Sequence, residues 1–281
     1  MKHSLQSRYL DYVGNLLASI REIENSITPE NIHQFRVGVK KIRVMLRIME
    51  QACCGKFRKD RHFRMMHKLF KPAGSVRELQ VNIALCRETS GMNSFVEFLQ
   101  EKLDKAVQQL QPGIRKFKPD KLEQLNKGLL HRLDSIPDTL LLTTTEDYLH
   151  EVQTRINRHL KASARKHSLH RFRKKFRELS EILIILGLFQ NNSKLARMQK
   201  SAREINRQLG DWHDQTVLAE TIKEFSDCKR GKERKFYRLT LTQLRDRNKV
   251  MAAELLLQIS RFQETYPTLL LCHTAPSGCG K

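Results

Sequence analysis

Residues 33–50 decide how the chain folds: His33-Gln34-Phe35-Arg36-Val37-Gly38-Val39-Lys40-Lys41-Ile42-Arg43-Val44-Met45-Leu46-Arg47-Ile48-Met49-Glu50. His33, Arg36, Lys40, Arg43 and Arg47 follow one another at intervals of 3, 4, 3 and 4. At about 100° per residue, that spacing places all five on one stripe of an α-helix. Phe35, Val39, Ile42, Leu46 and Met49 repeat at 4, 3, 4 and 3, which makes an apolar stripe on the same helix. The basic stripe lies roughly 120° from the apolar one, and Val37, Val44 and Ile48 flank its other side. An ordinary surface helix keeps its charges away from the core. Here the cations stand between two apolar flanks, the arrangement of a groove or channel wall.

Working outward, the block returns at residues 170–187, beginning 137 residues on (170 − 33). His170, Phe172, Arg173, Leu183 and Ile185 are identical to His33, Phe35, Arg36, Leu46 and Ile48, with Arg177 standing for Lys40. The stretch from Lys71 to Val81 pairs with that from Arg207 to Val217, Gly74 falling on Gly210 at an offset of 136 (210 − 74). Two blocks at nearly one offset indicate an internal duplication, and a period of this length is too long for a solenoid. The copies are unequal, because Glu178, Ser180 and Ile184 replace Lys41, Arg43 and Arg47. The first copy is therefore expected to supply more charge.

The remaining segments read as helices, with no run of β-type alternation. Residues 5–27 form a first helix, and Thr28-Pro29-Glu30 caps the start of the one that follows. Residues 56–71 make a basic helix stopped near Pro72 and Gly74. Helices follow over 76–88 and 94–117 and from Pro119 to about Ile136, and 137–145 connects the halves. The second half repeats this: 146–166, a helix from Ser168, 194–209, a restart at Gly210-Asp211 running to about Asp227, and 231–266. The expected fold is all-α, two pseudo-symmetric antiparallel bundles of four or more helices (1–136 and 146–266), with a loose tail over 267–281.

A hydrophobic content of 40% over 281 residues supports a real core, while a net charge of +22 points to a polyanionic partner. Aromatics make up only 7%, with one Trp, and no basic stripe carries a regular aromatic partner of the kind that stacks bases. A phosphate chain without bases therefore suits the pattern better than single-stranded nucleic acid. Cys53, Cys54, Cys86, Cys228, Cys272 and Cys279 form no CxxC pair, which suggests a reduced, cytoplasmic setting. There is no signal-peptide core, and the longest apolar run, 182–189, is too short for a bilayer.

The motifs His33-x-x-Arg36-x-x-x-Lys40-Lys41-x-Arg43 and His170-x-x-Arg173-x-x-x-Arg177, with Gly74-x-x-x-Glu78 and Gly210-x-x-x-Asp214 as apparent helix starts, resemble the CHAD family, α-helical domains named for their histidines. The resemblance covers almost the whole chain. It implies two helical bundles around a basic cavity that binds inorganic polyphosphate, with association with polyphosphate granules as a further expectation. The expected ligand-binding residues are His33, Arg36, Lys40, Lys41, Arg43, Arg47, Arg64, His170, Arg173, Lys174, Arg177, Arg197, Arg203 and Arg207. Arg supplies a planar fork for phosphate oxygens and Lys a mobile point charge. Each histidine has three readings: a helix-start structural role, phosphate contact, or a shared metal site, the last short of ligands. Glu78 and Asp214 read as first-turn acids more readily than as a catalytic pair. Ser277–Lys281 lacks the glycine and hydroxyl of a P-loop, and Cys272, His273 and Cys279 are too sparse for zinc. No nucleophile adjoins a base. The expectation is a binding protein without catalysis, cofactor or metal. The rivals are non-specific nucleic-acid binding on the same surface and a Mg²⁺-dependent phosphate-chain hydrolase.

Overall fold

The computed structural model describes residues 2–54, 57–87, 89–161, 168–190 and 192–267. Lys56, Lys166, Cys272, Cys279 and the tail beyond Pro267 lie outside the described residues. Nine α-helices and no strand occur among those described. They are α1 (Lys2–Asn25), α2 (Pro29–Ala52), α3 (Asp60–Arg87), α4 (Asn93–Arg115), α5 (Pro119–Asp134), α6 (Asp138–Lys161), α7 (Ser168–Leu186), α8 (Ser193–Asp227) and α9 (Gly231–Thr265).

Local chemistry sets the start of α2. Thr28 holds extended backbone, its hydroxyl oxygen accepts the Asn31 N–H at 3.2 Å, and Pro29 opens the helix. A cap of this kind contributes about 1 kcal/mol. Asn192 caps α8 in the same way through the Lys194 N–H at 2.8 Å. Both apolar flanks of α2 are buried, with Phe35, Val39, Ile42, Leu46 and Met49 on one side and Val44 and Ile48 on the other. The helix is thus walled in: α1 and α3 pack on it from its own half, α6 and α7 from the other.

One apolar core runs from Leu5 on α1 to Tyr266 after α9. A smaller core, including Ile83, Phe95, Leu99, Phe225 and Tyr237, ties the C-terminal end of α3 and the start of α4 to α8 and α9. Across the halves, α3 packs on α8, and Asn82 donates to the Thr221 hydroxyl at 3.3 Å.

Three expected boundaries are corrected. Gly74 and Gly210 do not start helices: α3 runs unbroken from Asp60 to Arg87 through Pro72 and Gly74, and α8 from Ser193 to Asp227 through Gly210. Buried Leu69, Ala73 and Val76 hold α3 across its breakers, and Leu209 and Trp212 do the same for α8. Burial there outweighs a propensity cost of about 1 kcal/mol per glycine. The connection expected at 137–145 is mostly helix, since α6 begins at Asp138.

Candidate functional site

The basic stripe of α2 and its counterpart on α7 meet where α3 and α8 cross between the halves. A cavity of about 150 Å³ opens there, lined by His33, Arg36 and Lys40 of α2, Arg173 of α7, Gly74, Arg77, Glu78, Val81 and Asn82 of α3, and His213, Asp214 and Val217 of α8. The lining follows the duplication. Arg36 matches Arg173, Arg77 matches His213, Glu78 matches Asp214 and Val81 matches Val217.

Arg36 is fixed by α3. Its Nη1 donates to the Phe70 carbonyl at 2.8 Å, and its guanidinium lies 4.5 Å from the centre of the Phe70 ring. Gly74 makes the space, because a Cβ there would stand 2.7 Å from Nη1. Arg77 donates to the Pro29 carbonyl at 3.2 Å, which ties α3 to the start of α2.

Crowded cations pay for this geometry electrostatically. Burial, with Arg173 beside it, lowers Arg36 to about 10. Burial and then Arg177 bring Lys40 down to about 7. Arg177, also lowered to about 10 by burial and by Arg173, stands behind Lys40. Burial lowers His213 to about 3, helped by Arg173, and burial together with Arg77 lowers His33. Partial burial raises the carboxyls of Glu78 and Asp214, while Arg36 and Arg173 respectively pull them back. The cavity therefore holds more cation than carboxylate, in surroundings that penalise unmatched charge.

The expected residues divide clearly. His33, Arg36, Lys40 and Arg173 line the cavity, with Arg177 next to them. His170 sits one layer back, its ring edge-on to Trp212 at 5.0 Å and to His213 at 5.2 Å. Arg64, Lys174, Arg197 and Arg203 are exposed and do not line the cavity. Arg207 bonds Glu204 and Asp211 on its own helix, outside the cavity. Arg47 is paired with Glu151 of α6. Lys41 lies over the Tyr12 ring at 4.9 Å, and Arg43 over Phe63 at 4.8 Å.

Those last contacts add what periodicity within α2 does not carry, rings of other helices packed on its cations. Arg36, Lys41, Arg43 and Arg47 each face a ring, supplied by α3, α1, α3 and α6. The rings carry the cations, and none of Phe, Tyr or Trp lines the cavity. Among the Arg, Lys and His side chains of the lining, Arg77 and His213 were missed. Each stands three positions after a matched glycine, inside the paired stretches from Lys71 to Val81 and from Arg207 to Val217, so the duplication already marked both positions. No group of three or more His, Cys, Asp or Glu side chains able to hold a metal occurs among the described residues. No described helix is long and apolar enough to cross a membrane.

Comparison with known proteins agrees with this fold. The CHAD domain family model matches residues 11–167 and again 145–269. The chain belongs to the CHAD family. A crystal structure of the CHAD domain from the plant Ricinus communis superposes with a TM-score of 0.69 at 12% identity, covering 94% of this chain and 91% of that one. That likeness establishes the shared helical fold. No match was found among curated proteins.

Proposed function

We propose that the protein binds inorganic polyphosphate, without catalysis, in the cavity between its halves. The observation that carries the reading is the convergence of Arg36, Lys40, Arg77 and Arg173, from three helices and both halves, on one half-buried cavity with two carboxylates among its walls. Cations held away from water destabilise the empty site, and an anion relieves them. A phosphate chain offers charge at every unit and no base, which suits a cavity walled by guanidinium and ammonium groups and lacking a Phe, Tyr or Trp platform. A cytoplasmic setting and association with polyphosphate granules belong to the same proposal.

Competition binding tests it. Unlabelled polyphosphate is expected to displace duplex DNA from the protein, and DNA to displace polyphosphate poorly. Equal displacement in both directions would favour a general nucleic-acid binder. Shortening of the chain on addition of Mg²⁺ would contradict a role without catalysis.

A further inference from the structure

Helix α9, far from the cavity in the argument so far, turns an apolar line outward. Among the described residues its Leu239, Val250 and Leu257 are the most exposed large apolar side chains, at 60%, 60% and 61%. At about 100° per residue the three fall within about 20° of one another, roughly 180° from the buried Tyr237, Leu241, Leu255 and Ile259. With Phe236, Gln243, Asp246 and Ala253, the spacing from 236 to 257 runs 3, 4, 3, 4, 3 and 4. That is the seam of a coiled coil, sustained here over about 32 Å. The face that packs on α8 is the other one. At Arg261, one turn beyond Leu257, α9 also lines a cavity of about 420 Å³ shared with α8, its apolar walls Ile205, Phe262 and Tyr266.

The charges beside the seam choose its occupant. Lys235, Arg238, Arg245 and Lys249, all exposed, occupy one flank of α9 within about 80° of arc, with no acid of the helix among them. Asp246, on the seam itself, bonds Lys249 at 2.8 Å. The opposite flank is mixed, with Arg247, Glu254 and Arg261. A second copy of the chain matches badly. An antiparallel twofold pair sets the basic flank against itself, and a parallel pair in register sets Asp246 against Asp246. A membrane matches no better, because an interfacial helix sinks a broad apolar face, and this seam is one residue wide with Gln243 and Asp246 at its middle. The tail over 268–281 carries Leu269, Leu270 and Leu271 but no acid. The missing counterpart is apolar along one line and acidic beside it.

We propose that α9 is a docking surface for an acidic amphipathic helix of a partner protein, laid along the seam from Phe236 to Leu257 with its carboxylates towards Lys235, Arg238, Arg245 and Lys249. Apolar side chains at i, i+3, i+4 and i+7 of the partner cover Leu239, Val250 and Leu257. The cavity between α8 and α9 takes a large apolar side chain at the end of that helix, the kind of pocketed anchor that carries most of the energy of an interface. The polar layer of Gln243 and Asp246 fixes the register. This surface is independent of the polyphosphate-binding reading, since none of these residues lines the cavity between the halves.

Three synthetic peptides of about four heptads test it by calorimetry against the full chain. One has Leu at its seam positions and Glu beside them, one has Lys in place of Glu, and one is a scrambled form of the first, equal in charge but without a seam. The acidic seam peptide is expected to bind about tenfold or more tighter than the scrambled one, and the Lys peptide not to bind. The Leu239→Ser/Leu257→Ser variant is expected to lose that margin, and Arg238→Gln/Arg245→Gln to flatten its dependence on salt. Both variants change exposed side chains, so melting temperature and polyphosphate affinity should stay unchanged. Equal binding of the seam and scrambled peptides, binding of the Lys peptide, or no binding at all would overturn the proposal. Sedimentation of the protein alone is expected to show a monomer; association lost in the Leu239→Ser/Leu257→Ser variant would assign the seam to a second copy instead. Co-sedimentation with phosphatidylglycerol vesicles that the same variant loses would assign it to a membrane.

Discussion

Gly74 and Gly210 hold the same place in the two halves, but only Gly74 is crossed by an arginine. A Cβ at 74 would meet Nη1 of Arg36 at 2.7 Å, whereas one at 210 would meet nothing within 4 Å. Alanine at either position favours the helix by about 0.5–1 kcal/mol. Gly210→Ala is therefore expected to raise the melting temperature and leave affinity unchanged. Gly74→Ala is expected to keep the fold, push the Arg36 guanidinium off Phe70 and weaken polyphosphate about tenfold, the scale of one charge-assisted bond. If the loss acts through Arg36, adding Gly74→Ala to Arg36→Gln costs nothing more; an undiminished further loss contradicts it. Lys40 gives a pH signature. Its ammonium is lowered from 10.5 to about 7 by burial and Arg177. Between those values the unfolded chain holds a proton that the folded one has released, so this residue's contribution to stability rises with pH across that window. Binding runs the other way, because a phosphate favours the charged ammonium. Affinity is expected to fall as pH rises through about 7. Calorimetry near pH ~8 in buffers of different ionisation heat should show proton uptake that Lys40→Arg diminishes. Equal uptake in both proteins would exclude Lys40 as its source.

Among the elements, α2 was the most legible and α3 and α8 the least. The signals for α2 are local: Thr28 and Pro29 at its start, and two apolar stripes that the structure buries in full or nearly so. In α3 and α8 the local signals, Pro72, Gly74 and Gly210, point to breaks that the packing of Leu69, Val76, Leu209 and Trp212 overrides. The aromatic partners of the α2 cations were invisible for a related reason. Tyr12, Phe63, Phe70 and Tyr148 belong to other helices, and periodicity within α2 carries no information about them. The same holds for Glu151, whose pairing with Arg47 crosses 104 positions in the chain. The two helices that carry the matched arginines also make a prediction of their own. Arg36 on α2 and Arg173 on α7 share one cavity, so their losses should couple. Each change to Gln is expected to cost about 1.5–3 kcal/mol of binding energy. The double variant should differ from the sum of the singles, with helicity little changed by circular dichroism. Strictly additive losses, with a stoichiometry halved by either single change, would indicate two separate sites.

At the scale of the whole molecule, the duplication was readable because two blocks share nearly one offset, and the paired lining of the cavity follows it. The net charge of +22 gave the sign of the partner but not its position. Much of the basic surface, including Arg64, Lys174, Arg197 and Arg203, stands in solvent away from the cavity. A few cations held together and half-buried are a stronger statement than many dispersed ones. Counterion release measures that distinction. Polyphosphate affinity is to be followed over a wide range of salt for the unaltered protein and for the Arg36→Gln/Arg173→Gln variant. The account predicts a linear fall of log affinity with log salt, and a slope shallower by about two in the variant, one for each lost phosphate contact. An unaltered slope and affinity in the variant would place binding on the dispersed surface and contradict the cavity as the site.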